Sequence, residues 1–298
     1  MREIKLINDI TKWAGKPGKG VIVGIGDDCA VLEYSKDKYL LWASDMLVEG
    51  THFTVKDAGY RRIGRKAVAV NLSDIAAMGG VPKFIIVSIG MPKDTCARDV
   101  KMIYSGITEI CARCGVKVIG GDTNRSRKLV IDVSIIGFVE KKRLVLRSGA
   151  KAGDLILVTG PLRSGRKTHL DFEPRIKEAR GLTEKYKINS MMDVSDGIGP
   201  DLGRLCAASG MGAKVYADAV PLSKGMSLED ALHYGESFEL LFTMDAKEAG
   251  RIFKDAAVKK KFPGVFIIGE ILPKKNGVKI VGGDGKMRPL KMEGFKHF

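Results

Sequence analysis

Cysteine is scarce in this 298-residue chain and odd in number. Cys29, Cys96, Cys111, Cys114 and Cys206 are too few and too scattered for a disulfide framework, so reduced thiols are expected. Cys111 and Cys114 form a C-x-x-C, but there is no second such pair and no histidine pair at ligand spacing, so a zinc finger lacks its other half. The burial preference of free cysteine instead makes them two small apolar residues on one face of a helix. Long apolar runs are absent too: no stretch of 18 uncharged apolar residues exists, which excludes a hydrophobic membrane-spanning helix. Met1-Arg2-Glu3-Ile4-Lys5 lacks the apolar core of a signal peptide, so a cytoplasmic protein is expected. Aromatic residues are only 7% of the chain. That scarcity matters because 50 Lys and Arg against 35 Asp and Glu give a formal net charge of +15. The basic residues are dispersed, the longest run being Lys259-Lys260-Lys261, and no recognised binding motif accompanies them. Nucleic-acid binding as the main function is therefore disfavoured, and a positive surface that draws in anionic metabolites is the milder explanation.

What is present is an ordinary globular composition, 45% hydrophobic and 29% charged, long enough for two domains. Leu40 to Asp45, Phe84 to Ile89, Val116 to Ile119 and Leu129 to Val139 read as strands. Ile63 to Met78 and Asp99 to Cys114 carry helical spacing, stopped by Gly79-Gly80 and Gly115. After a boundary near residue 145, strands at 154–159, 191–194, 213–216, 238–243 and 265–268 alternate with helices. The fold class is α/β (α+β) with two domains, 1–145 and 146–298. Gly160 to Thr168 follows a strand and approaches a P-loop, but Arg166 separates Gly165 from Lys167 and Pro174 falls where the next helix should be established.

The informative motifs are acidic. They are Gly26-Asp27-Asp28, Ser44-Asp45, Asn71-Leu72-Ser73-Asp74, Gly120-Gly121-Asp122 and Asp193-Val194-Ser195-Asp196-Gly197. Carboxylates inside apolar strand-like segments are costly unless partnered. Gathered around hard divalent cations they make sense, and such cations commonly hold phosphates. If Asp27-Asp28 is strand, only one of the pair faces the site. Ser44-Asp45 ends a strand, where open sheets bind ligands. Asn71 and Asp74 share a helix face, and Gly120-Gly121 lets a ligand approach the backbone at Asp122. Singly, each aspartate reads equally well as a helix cap or a turn residue. Caps and turns do not require all five motifs in one chain.

These motifs, together with Asp45-Met46-Leu47-Val48-Glu49-Gly50-Thr51-His52-Phe53, Arg147-Ser148-Gly149-Ala150 and a terminal Gly294-Phe295-Lys296-His297-Phe298, resemble the thiamine-monophosphate kinase family in order and over nearly the whole chain. That family belongs to the aminoimidazole-ribonucleotide-synthetase superfamily of ATP-using enzymes. The resemblance implies transfer of the γ-phosphoryl group of ATP directly onto thiamine monophosphate, giving thiamine diphosphate. It further implies several Mg2+ ions held by Asp28, Ser44, Asp45, Asp74, Asp122, Asp193 and Asp196. Nucleotide contacts would come from Gly121, Arg147, Ser195 and Tyr104, and thiamine-side contacts from His52, Glu236 and Phe295. It implies a homodimer whose N-terminal sheets pair into a shared barrel. Phosphoryl transfer agrees with such a residue set, since it needs alignment and charge neutralisation rather than a side-chain nucleophile.

The chain departs from the family at Tyr234-Gly235-Glu236-Ser237-Phe238-Glu239-Leu240, where the family shows Gly-Gly-Glu-Asp-Tyr-Glu-Leu. The segment from Gly160 to Pro174 is also short. Two alternatives stand beside the kinase: a superfamily enzyme with a different phosphate-bearing acceptor, and a non-catalytic basic binding protein on the same fold.

Overall fold

In the computed structural model, residues 3–163, 169–255 and 264–294 are described. The first half contains α1 (Glu3–Ala14), β1 (Val21–Val23), β2 (Ala30–Glu33), β3 (Lys38–Val48), α2 (Val55–Ala58), α3 (Tyr60–Ala77), β4 (Val81–Met91), α4 (Ala97–Cys114), β5 (Lys117–Arg125) and β6 (Val130–Glu140). Its six strands run in the order β1-β2-β3-β6-β4-β5. Only β4 and β5 pair in parallel. β6 shows why the sheet has two unlike faces. Ile131, Val133, Ile135, Gly137 and Val139 are buried while the residues between them are only half-buried. A period of two in burial is the mark of a sheet covered on one side.

The covering layer is α3 and α4. α3 is unusual in being buried almost all round, and it packs against α4, the first sheet, and the second half of the chain. Two glycines permit the close approach of α4. A Cβ on Gly64 would lie 2.1 Å from the Ile103 carbonyl oxygen, and one on Gly106 would lie 1.9 Å from that of Arg61. α4 ends as expected at Gly115, whose left-handed backbone (φ 69°) closes the last turn. Cys111 joins the core and Cys114 packs at its edge, so the C-x-x-C is a packing feature. Burial pushes the Cys111 thiol up to about 12.

The second half contains β7 (Leu155–Thr159), α5 (Ile176–Lys185), β8 (Ser190–Asp193), α6 (Ile198–Ser209), β9 (Met211–Tyr216), α7 (Leu228–His233), β10 (Leu240–Met244), α8 (Ala246–Lys254), β11 (Val265–Pro273), β12 (Val278–Val281) and β13 (Met287–Pro289). Its seven strands are ordered β13-β12-β9-β11-β7-β10-β8, with β12 and β9 the single parallel pair. The halves do not keep separate cores. Ala76 and Ala77 of α3 pack with Leu157, Met191, Leu240 and Phe242, while Leu170, Phe172 and Phe238 join the core of the first half.

Three readings from sequence change here. β3 continues to Val48, so Asp45 lies within a strand and not at its end. β5 runs on through Gly120-Gly121-Asp122 to Arg125, because backbone bonds to β4 continue where the apolar run stops. Asp27-Asp28 belongs to a turn before β2, so strand alternation does not separate the two carboxylates. The first sheet is open, with β1 and β5 at its edges and no closed barrel among the described residues. No described helix is long and apolar enough to cross a membrane.

Candidate metal and phosphate site

Three carboxylates from three distant segments converge: Asp28 from the turn before β2, Asp74 near the end of α3, and Asp193 at the end of β8. Each contributes an oxygen lying within 4.8 Å of the others. Because α3 sits between the two sheets, the first half supplies two of these acids and the second half the third. Asp45, on the helix-covered face of β3 in register with Val133 and Val87, is close enough for its charge to act on Asp74.

The cluster is short of positive charge. Burial first, then neighbouring carboxylates, holds Asp74 and Asp193 well above the usual carboxylate range. Burial raises Asp28 as well, against the pull of Arg147. Asp28 Oδ1 accepts from Arg147 Nη2 at 2.6 Å, but Asp28 Oδ2 is buried with no hydrogen-bond partner. Asp193 Oδ2 accepts from Ser73 Oγ at 2.5 Å. Asp27 takes a different part: it accepts from the Arg147 backbone N–H at 3.1 Å and ties that segment to the turn. Burial and the Asp28 charge push Asp27 up to about 6. Burial would lower the Arg147 guanidinium, yet Asp28 and the other acids outweigh it and hold it above its ordinary value.

This chemistry fits a hard cation. An orphaned buried carboxylate oxygen among three acids and one arginine is what a divalent ion satisfies with oxygen ligands. Asn71 adds a second orphan one turn before Asp74: its amide donates to the Ala67 carbonyl, and its buried Oδ1 has no partner.

The other expected residues are placed less closely. Ser44 is exposed and donates to Asp132 Oδ1 at 3.2 Å. Asp122 is exposed and pairs in register with Ser88, itself opposite Asp132, on the face turned away from the helices. The sheet thus lies between Asp122 and Asp45. Gly121 crosses β4 so closely that a Cβ would meet the Val87 carbonyl oxygen at 1.9 Å. Asp196 is paired with Arg204 at 2.5 Å, and Arg204 also holds the fully buried Asp201 at 2.6 Å. Tyr104 packs half-buried on α4. Ser195 accepts the Glu236 backbone N–H at 2.7 Å through its carbonyl. Phe295 lies outside the described residues.

A second constellation adjoins the first. The Lys66 ammonium, 1% exposed, pairs with Glu236, donates to the His52 carbonyl at 3.1 Å, and meets His169 Nδ1 at 2.6 Å. His52 Nδ1 accepts from the Val48 N–H at 3.0 Å, which orients the ring. Burial lowers Lys66, against the opposing pull of Glu236. Burial would raise Glu236, but hydrogen bonding from His169 and the charge of Lys66 win and hold it below its usual value. Glu236 and Phe238 have left-handed backbone, φ 55° and 52°. Phe238 stacks on Phe172 with ring centroids 4.0 Å apart, and Ser237 Oγ accepts the Arg163 N–H. Glu239 is gripped by Arg175, with Nε–Oε2 at 2.7 Å, and by Thr159 at 2.8 Å.

Lys66 and His169 escaped the sequence reading. The signal was there for Lys66: Ile63, Ala69 and Val70, three of its four neighbours three and four residues away, are apolar, so the lysine rides a largely buried stripe. Nothing in the sequence marked His169.

Comparison with known proteins agrees over the whole chain. The AIR synthase related protein N-terminal domain matches residues 26–139, and its C-terminal domain matches residues 163–282. A thiamine-monophosphate kinase of Buchnera aphidicola is 36% identical, covering 99% of this chain and 98% of that protein. The Bacillus subtilis thiamine-monophosphate kinase is 32% identical over 100% of both. The solved structure of AaThiL complexed with AMPPCP and TMP superposes with a TM-score of 0.82 at 31% identity, covering 99% of this chain and 97% of that one.

Proposed function

The chain belongs to the thiamine-monophosphate kinase family, and we propose that it transfers the γ-phosphoryl group of ATP to the phosphate of thiamine monophosphate, giving thiamine diphosphate and ADP. The observation that carries this is the convergent trio of buried Asp28, half-buried Asp74 and buried Asp193, with an unpartnered Asp28 oxygen. Two phosphate-bearing substrates repel each other strongly. Bound Mg2+ would screen that repulsion and hold the reacting phosphates in line.

The ligands we assign to the ion at that trio are Asp28, Asp45, Asp74 and Asp193, with Asp196 beyond them; Ser44 and Asp122, across the first sheet, we assign to further ions. No residue serves as nucleophile, since a phosphate oxygen of the acceptor attacks. Arg147 neutralises Asp28 in the protein alone. Once the acids are otherwise compensated, its guanidinium suits a nucleotide phosphate. Gly121, Ser195 and Tyr104 complete the nucleotide side. His52, Glu236 and Phe295 face the thiamine side, where a carboxylate and an aromatic ring suit a cationic heterocycle.

We also assign a homodimer built on the first sheet. Its uncovered face displays Trp42, Met46, Phe84, Ile86 and Ile119, each between 39% and 61% exposed. Packing a second copy there would remove that apolar area from water at about 25 cal/mol per Å2. Pairing of the two sheets into a shared barrel is the arrangement proposed.

The test is direct. Purified protein with ATP, Mg2+ and thiamine monophosphate should yield thiamine diphosphate, identified by mass. ADP release only with some other phosphate-bearing acceptor would transfer the same machinery to a different substrate. ATP left intact with every acceptor would end the kinase reading.

A further inference from the structure

We propose that Lys66 is a positioning residue for the acceptor side of the site, locking Glu236 and the His52 turn into one rigid unit. This rests on the reading that His52 and Glu236 meet thiamine monophosphate. An ammonium has three N–H donors and no acceptor capacity. Lys66 meets polar groups on three separate segments: the His52 carbonyl after β3, His169 Nδ1 before α5, and the Glu236 carboxylate before β10.

Position and cost both argue for a task. Lys66 belongs to α3, the helix that also carries Asp74, so the cation and the acidic cluster share one rigid rod. Burying an ammonium is expensive unless it is fully hydrogen-bonded and paired. Glu236 needs the help. Its φ of 55° is a strained choice for a residue with a Cβ, and its backbone N–H is already committed to Ser195 on the nucleotide side. With backbone on Ser195 and carboxylate on Lys66, Glu236 is held at both ends. Removing Lys66 leaves the Glu236 carboxylate with only His169, 3.4 Å away, and takes one donor from the His52 carbonyl. The hydrogen bonds of Lys66 go to His52, His169 and Glu236 and not to Asp28, Asp74 or Asp193, so the change falls first on the acceptor side. Lys66 therefore acts on one substrate and not on the other.

The experiment is steady-state kinetics on full-length wild type, Lys66→Met and Lys66→Arg, varying each substrate separately. Thermal unfolding checks that each variant is folded. In Lys66→Met the KM for thiamine monophosphate should rise about tenfold while the KM for ATP changes less than about twofold. Lys66→Arg, which keeps the cation, should recover part of the loss. A folded Lys66→Met with unaltered KM for thiamine monophosphate overturns the proposal, as does an equal rise for both substrates. Should Lys66→Met fail to fold, His169→Gln removes one strut and keeps the ion pair. A rise of about threefold in the KM for thiamine monophosphate alone supports the proposal there, and no change overturns it. Wild type that forms no thiamine diphosphate sinks the reading of the site before any variant is made, and the Lys66 assignment with it.

Discussion

Two charged regions lie side by side in this molecule, and they are balanced in opposite ways. Around Asp28, Asp74 and Asp193, two buried carboxylates and a half-buried one share the charge of Arg147, and an oxygen is left without a partner. Around Glu236 and Glu239, each carboxylate is matched by its own cation, Lys66 and Arg175. The first region is unfinished by itself, which suits the metal ions proposed above. The second is complete before any substrate arrives. A metal-dependent phosphoryl-transfer site needs this division: one side must gain charge on loading, while the other must present a fixed shape.

The contrast can be broken at its balanced end most forcefully. Arg175→Met strands Glu239, whose side chain is only 2% exposed, and should cost about 3–5 kcal/mol in urea unfolding. A variant as stable as wild type would show that Glu239 needs no partner. At the unfinished end, Asp74→Asn should have opposite effects on stability and on turnover. Thiamine diphosphate formation should fall by about 10^2 to 10^3, while the unfolding temperature of metal-free protein rises, because a repelling charge has gone. A drop in both would make Asp74 a structural acid.

The smallest effect is a pH dependence. Asp27 sits at about 6 in the folded protein against an ordinary 3.8, raised by burial and then by Asp28. Its folded form thus holds a proton that the unfolded form releases. Its stabilisation is complete below the unfolded value and is lost as pH rises through about 6. Metal-free protein should therefore lose stability from Asp27 between pH 4 and 7. Mg2+ at about 100 times its Kd should return about 2.7 kcal/mol at pH 7.5, read as a rise in unfolding temperature that chelator reverses. Unfolding temperatures indifferent to Mg2+ would remove the reason for gathering the acids.

Much of the scaffold was legible because burial follows periodicity. α3, α4 and β6 appear where apolar spacing put them, and Gly115 closes α4 as a glycine after a helix should. What was lost depends on pairing. Strands alternating with helices suggested α/β halves, yet each sheet has only one parallel pair, since alternation along the chain does not dictate strand order in space. β5 looked finished at Ile119 because an exposed edge strand needs no apolar side chains to keep its ladder. For the site, the acidic motifs marked Asp28, Asp74 and Asp193 as candidates. No local rule could show that β8 of the second half would deliver Asp193 beside α3 of the first. The cationic partners were harder still, because Lys66 reads as surface charge until the apolar stripe around it is noticed.

The notch between Gly64 and Gly106 reaches further than packing. Asp74 lies about 15 Å along the same helix from Gly64. The missing methyl groups let α3 sink until its backbone nearly touches that of α4. A larger residue at either notch would tilt the rod, swinging its acidic end away from Asp28 and Asp193. Such a lesion, remote from every ligand, would present in an assay as weakened cation affinity, so the tolerance of the centre is set partly by two hydrogens at a helix crossing.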